Sequence, residues 1–290
     1  MIPNSELFVM GQAKSLSFFY NGINGILVIG NKSMIEPTKS FYVDHLLVEV
    51  HTSEIAMSKS VAKITQQYLH DLLDQQNQVA ILLATGNSQI RFLDALIALG
   101  GIDWSRVILF HLDEYLGITS DHPGSFRHYL RERVEKKVNP QRFYYIEGDT
   151  LQPVAECDRY SKLLENQPID LCCLGLGENG HLAFNDPAVA DFQDPAQVKL
   201  VKLDDVNRQQ QVNTGYFANL ADVPQYAFTV TIPMICAAKK IICLAPNSRK
   251  SRIVKTMLTG DIITNCPASI LRQQPQASLF LDVNSASLLS

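Results

Sequence analysis

The chain has no CxxC pair, and its seven histidines show no HExxH or similar spacing. A metal site or a catalytic dithiol is therefore disfavoured. The six cysteines (157, 172, 173, 236, 243, 266) fall largely in apolar runs, where a free thiol behaves as a small hydrophobe. A reduced, cytoplasmic protein follows. There is no basic excess either: the net charge of -4 gives no footprint for nucleic acid. The turn Ala84-Thr-Gly-Asn-Ser88 has no Walker-type GK[ST] ending and lacks GxGxxG, which disfavours nucleotide binding there. The apolar stretch 15–30 is broken by Asn21, Gly22, Asn24 and Gly25, too short and interrupted to span a bilayer. No internal repeat or low-complexity segment appears.

What is there is an ordinary globular composition, 46% apolar and 19% charged over 290 residues, enough to bury a large core. Residues 1–45 read as an N-terminal extension of open role and 46–290 as one domain. From position 46 the pattern becomes regular. Strands are expected near 47–50, 79–84, 107–110, 143–146, 169–174, 198–203, 227–232, 240–244 and 277–281. Helices are expected over 53–74, 90–99, 125–138, 154–164 and 249–258, the first capped by Ser53. Strands alternating with helices, several of them apolar throughout, predict an α/β fold: a mostly parallel, Rossmann-like doubly wound sheet with helices on both faces.

The most informative run is GLGENGHLAFNDP at 175–187. It follows a short apolar strand, and its glycines at 175, 177 and 180 let the backbone turn sharply and approach a ligand. His181 moves protons near neutral pH, and Asp186 supplies a carboxylate in the same loop. A packed histidine in a glycine-rich turn is the blander explanation.

Three further clusters fall at strand ends, where such sheets bind ligands. Thr85, Gly86, Asn87 and Ser88 precede a helix and offer backbone N–H groups and hydroxyls to a phosphate, although an ordinary helix cap explains them equally. Asp113 and Glu114 sit after an apolar strand, where desolvating both is costly. Alternation points them to opposite faces, so one enters a cleft while its neighbour holds the loop. A surface salt bridge is the alternative. Arg208 and Lys250 follow later strands and suit phosphate oxygens, though each alone also reads as a solvated surface charge.

The segments LLATGNS, VILFHLDEYLGITSDHPGSF, IDLCCLGLGENGHLAFNDP and CPASILRQQP, in this order and spacing, resemble the glucosamine-6-phosphate deaminase/isomerase family, part of a group that includes 6-phosphogluconolactonases. The resemblance covers about residues 46–282. Lactonases of the group carry a Thr-Ala-Ser-Leu-Phe-Pro type of run after the Gly-His pair; the Leu-Ala-Phe-Asn-Asp-Pro found here resembles the aminosugar branch. The resemblance implies that Asp113 moves the proton between carbon-2 and carbon-1 and that His181 assists ring opening. It also implies that Thr85–Ser88, Lys250 and Arg208 hold the phosphate. Two positions depart from the well-studied bacterial pattern: Asn179 replaces an aspartate and Asp186 replaces a glutamate. Asn179 cannot take a proton, but its oxygen can still orient His181.

The implied reaction is the isomerisation and deamination of an aminosugar 6-phosphate. It needs proton transfers and hydration, and no metal or redox cofactor. The expected partner is a small sugar phosphate, with neither nucleic acid nor membrane, and a homo-oligomer is compatible with the sequence. Two alternatives belong to other classes. One is lactone hydrolysis of the 6-phosphogluconolactonase type, with His181 activating water. The other is a sugar-phosphate sensor without turnover, which would usually carry a helix-turn-helix; residues 1–45 do not read as one.

Overall fold

The protein is described from a computed structural model covering residues 36–213 and 215–289. The first 35 residues of the expected extension lie outside the described residues. Strand β1 (Lys39–Val43) falls within the last part of that extension and pairs antiparallel with β2 (Leu46–His51).

The remaining elements follow in chain order. Helix α1 (Glu54–Gln75) starts on Ser53, whose hydroxyl accepts the Ala56 N–H at 3.2 Å, as the cap chemistry requires. Then come β3 (Val79–Leu83), α2 (Asn87–Leu99), β4 (Val107–His111) and β5 (Asp113–Tyr115). Helix α3 (Phe126–Leu130) runs through a π-helical turn, Arg131–Glu135, into α4 (Lys136–Val138). Strand β6 (Arg142–Phe143), α5 (Pro153–Asn166), β7 (Leu171–Gly175), β8 (Val198–Lys202) and α6 (Asp205–Asn213) follow. The chain continues through β9 (Tyr226–Val230), α7 (Ile232–Cys236), β10 (Ile241–Ala245), α8 (Ser251–Thr259) and β11 (Ala277–Asp282).

The main sheet has eight strands in the order β1-β2-β11-β10-β7-β3-β4-β6. Every pairing except β1–β2 is parallel. Central strands alternate between two cores. In β3, Ala80 and Leu82 join one apolar cluster with residues of α5 and α8, such as Tyr160 and Val254. Ile81 and Leu83 join the other, with residues of α1 and α2 such as Leu69 and Phe92. Both faces are thus covered, which is why these strands read as unbroken apolar runs.

Two expected strands do not belong to this sheet. The segments near 198–203 and 227–232 pair with β5 in a separate antiparallel sheet, β5-β9-β8. In β8, Val198 and Val201 are buried while Leu200 and Lys202 are exposed, the half-covered pattern of an antiparallel strand. The strand expected over 143–146 is only two residues long.

Strand order reverses between β3 and β7, which are neighbours. From β3 the chain moves on to β4 and β6; from β7 it moves the opposite way to β10 and β11. The connections leaving their carboxyl ends diverge, which opens a crevice there.

Candidate active site

Two strand ends flank the crevice. After β3, Gly86 adopts φ +97° and opens α2 without a side-chain cap. Apart from that of Gln89, which donates to the Gly86 carbonyl at 3.1 Å, the first-turn N–H groups of α2 are therefore left to a ligand or water. Tyr129 donates its hydroxyl to the Gly86 carbonyl at 3.1 Å. Gln89, fully buried, donates to Leu174 O at 3.0 Å and to Ser88 Oγ at 3.1 Å, tying the two diverging strand ends together.

After β7 the chain folds back on itself: Gly177 N–H donates to His181 O at 3.0 Å, and Gly180 turns at φ +88°. A Cβ on Gly177 would overlap the His181 imidazole, so only glycine lets the ring lie over the turn. Asn179 Oδ1 accepts the His181 backbone N–H at 3.1 Å and lies 2.7 Å from its Nδ1. Asn179 Nδ2 donates to Asp186 Oδ1 at 2.8 Å, and that oxygen is itself 3.1 Å from His181 Nδ1. Both neighbours of Nδ1 are acceptors, so in the neutral imidazole Nδ1 carries the hydrogen and Nε2 the lone pair. Behind this loop the buried Asn185 donates to Leu182 O and Val230 O at 2.8 and 2.9 Å.

Strand β5 contributes Asp113, 7% exposed. Burial, and then the neighbouring Glu114 charge, hold its carboxyl well above the usual carboxylate range. Glu114 points the other way, as alternation predicts, and takes N–H and O–H donors from 115 and 125–127. His111, fully buried at the end of β4, accepts the Ile146 N–H on Nε2 at 2.8 Å. Burial pushes its pKa down to about 3, so it stays neutral.

The end of β10 contributes the basic group. Asn247 turns at φ +71°, with its N–H held by Asp282 Oδ1 at 3.1 Å and its own Oδ1 accepting the Arg249 N–H at 3.2 Å. Burial lowers the proton affinity of Lys250.

These groups converge. One open cavity of about 890 Å³ is lined by Thr85–Ser88, Asp113, Asn179, His181 and Lys250, with Tyr129, Glu178, Tyr216 and Arg249 besides. Asp186 stands behind His181, in contact with it. Arg208 departs from expectation: it is not among the lining residues. Its Nη2 donates to Leu220 O and Val223 O at 2.7 and 2.9 Å, because carbonyls in that turn need donors once buried. Gln209 and Gln211 from the same helix line the cavity. Sequence reasoning also missed Tyr129, Gln89, Glu178 and Arg249. Local signals existed for Arg249, adjacent to Lys250, and for Glu178, inside the 175–187 run.

Residues 52–280 match the family model described as glucosamine-6-phosphate isomerases/6-phosphogluconolactonase. A glucosamine-6-phosphate deaminase of Exiguobacterium sibiricum is 34% identical over 237 residues, 81% of this chain and 92% of that protein. One from Listeria monocytogenes is 35% identical over 207 residues, 71% and 86%. A solved monomeric glucosamine-6-phosphate deaminase superposes with a TM-score of 0.76 at 29% identity, over 83% of this chain and 99% of that one. A 6-phosphogluconolactonase from Thermotoga maritima, at 16% identity and a TM-score of 0.66 over 81% and 98%, shares the fold. With most of its length covered by the family model and its site on the shared scaffold, the chain belongs to the glucosamine-6-phosphate isomerase/6-phosphogluconolactonase family.

Proposed function

We propose that the protein is an enzyme converting glucosamine 6-phosphate and water to fructose 6-phosphate and ammonia. The observation that carries this reading is that Asp113 and His181 line one cavity together with Thr85–Ser88 and Lys250.

The sugar is held by its phosphate, with the N-terminal turn of α2 and the Lys250 ammonium as donors. That grip, remote from the reacting carbons, supplies binding energy to orient them. His181 Nε2 takes the proton of the anomeric hydroxyl and delivers it to the ring oxygen, opening the pyranose to the aldehyde. Its imidazolium is stabilised by Asp186, while Asn179 holds the ring in place. Asp113 then removes the carbon-2 proton to form an enolamine and returns it to carbon-1. This gives the imine of the ketose, and water adds at carbon-2 to expel ammonia. Asp113 must keep a proton between two transfers, and its raised proton affinity suits that duty. Asn179 and Asp186 serve the ring-opening step; the carbon-2 to carbon-1 transfer does not pass through them.

The six cysteines are unpaired, in keeping with a cytoplasmic enzyme. Among the described residues no helix is long and apolar enough to cross a membrane.

The test is ammonia release, coupled to fructose 6-phosphate detection, across a panel of hexosamine 6-phosphates, with 6-phosphogluconolactone assayed in parallel. Turnover of glucosamine 6-phosphate is expected. Hydrolysis of the lactone without ammonia release from any hexosamine phosphate would overturn the reading.

A further inference from the structure

Of two adjacent buried carboxylates, the proposed reaction uses only Asp113. Glu114 is 0% exposed, and each of its oxygens takes two donors. Oε1 accepts the N–H of Tyr115 at 2.9 Å and of Phe126 at 3.1 Å. Oε2 accepts the Ser125 hydroxyl at 2.7 Å and the Arg127 N–H at 2.9 Å. A carboxylate has about four acceptor positions. All are occupied by donors, which leaves no room for a proton, so the pocket is built for the ionised form. Burial raises the proton affinity of Glu114, and these four hydrogen bonds hold that rise down without cancelling it. Asp113 has no comparable set of donors; its carboxyl responds to burial and to Glu114.

We propose that Glu114 is a positioning residue for the proton shuttle: a fixed buried charge that keeps Asp113 able to hold the substrate proton between its removal and its return, while its hydrogen bonds anchor the cavity wall from Ser125 to Tyr129. The proposal rests on Asp113 being the base. A base that only removed a proton would need no such neighbour. One that must also deliver the proton to carbon-1 would lose it to solvent at an ordinary aspartate pKa of about 4.

The other titratable groups around Asp113 do not supply this as directly. On its own strand Tyr115 is buried and neutral, its proton affinity raised. From β4, His111 is neutral. From α5, Tyr160 is neutral, with its proton affinity raised by burial. From α3, Arg127 lies 3.5 Å from Glu114 Oε2 and is also paired with Asp149 at 2.9 Å. Across the cavity are His181 with Asp186, and Lys250 with Arg249 and Glu178. Glu114 is the charge that adjoins Asp113 and is wholly shielded from water.

The test reads Asp113 directly, without substrate, by ¹³C NMR titration of its carboxyl, assigned by the signal lost in Asp113→Asn. In Glu114→Gln the midpoint is expected to fall by about one pH unit, and the acid limb of kcat should move with it. Glu114→Asp restores the charge without reaching every donor; its midpoint should stay near that of the natural protein even though its stability drops as in Glu114→Gln. An unmoved midpoint in folded Glu114→Gln, or an equal fall in Glu114→Asp, overturns the proposal. If Glu114→Gln does not fold, the natural protein decides: an Asp113 midpoint in the ordinary aspartate range overturns it. Absence of ammonia release by the natural protein would instead reject the deaminase reading, and the titration would stand apart from it.

Discussion

The side-chain oxygen of Asn179 lies 2.7 Å from Nδ1 of His181. The amide is therefore placed to orient the ring without contributing charge, and Asp186, held by the same amide at 2.8 Å, is the carboxylate that the proposed ring opening uses to balance an imidazolium. Replacing Asn179 by alanine removes an acceptor from the ring and a donor from Asp186. Turnover should fall by on the order of tenfold or more, with substrate-analogue binding unchanged. Asn179→Asp places two carboxylates where the amide now bonds Asp186. Like charges that close share a proton, so the acid limb of kcat should move to higher pH. A pH–rate profile identical to that of the natural protein would contradict this role for the amide.

Asp113→Asn tests the base from two directions. Turnover should fall by about 10²- to 10⁴-fold, while sugar-phosphate binding, measured calorimetrically, persists. In the natural protein activity needs the ionised form. Since the Asp113 carboxyl is held above the usual range, activity should fade as pH drops through that raised value, well before an ordinary aspartate is protonated.

Stability gives the opposite sign. Between the unfolded and folded pKa of Asp113 the native state binds more protons than the unfolded chain, so stability falls as pH rises across that window. Asp113→Asn removes the cost of a buried charge. Its Tm should exceed that of the natural protein at neutral pH by on the order of 2 °C, and the gap should close at acid pH. A variant less stable at neutral pH would mean that the ionised carboxyl has partners which offset its burial.

Gly177 is required by contact. A methyl group there would overlap the His181 ring, which must then leave the acceptors Asn179 and Asp186. Gly177→Ala should lower kcat by about 10²-fold, the scale for a misplacement of about 1 Å, and cost about 1–3 kcal/mol of stability from overpacking. Comparing its melting curve with its kinetics separates the two effects.

How much of this was legible in the sequence follows from how local each signal is. The loop 175–187 was readable because its glycines, histidine and carboxylate act on one another within a few residues. The runs at β3 and β7 were readable because burial on two faces removes polar alternation altogether. The β5-β9-β8 sheet was not. Asp113–Tyr115 is too short to show a period, and its partner Ala227–Thr229 lies more than a hundred positions away. The surroundings of Arg208 were hidden for the same reason: its position after a strand suggested phosphate, but the carbonyls it serves, Leu220 and Val223, belong to a turn that sequence pattern does not locate. Arginine matches phosphate oxygens and bare carbonyls alike, so residue type could not decide between them.

Lys250 separates binding from chemistry. It lines the cavity with Thr85–Ser88 at the end of a strand two places from β3 in the sheet, and no step of the proposed reaction passes a proton through it. In its proposed role the ammonium touches the phosphate equally in ground and transition states, so its loss is expected to remove uniform binding. Lys250→Ala should raise KM for glucosamine 6-phosphate by about tenfold or more, as expected for a charge-assisted contact of about 1.5–3 kcal/mol. The change in kcat should be much smaller. With glucosamine lacking the phosphate, the natural protein and Lys250→Ala should perform equally poorly, because the group that lysine recognises is gone from the substrate. A Lys250→Ala variant that lost kcat while keeping KM would place the ammonium at the reacting carbons instead of the phosphate.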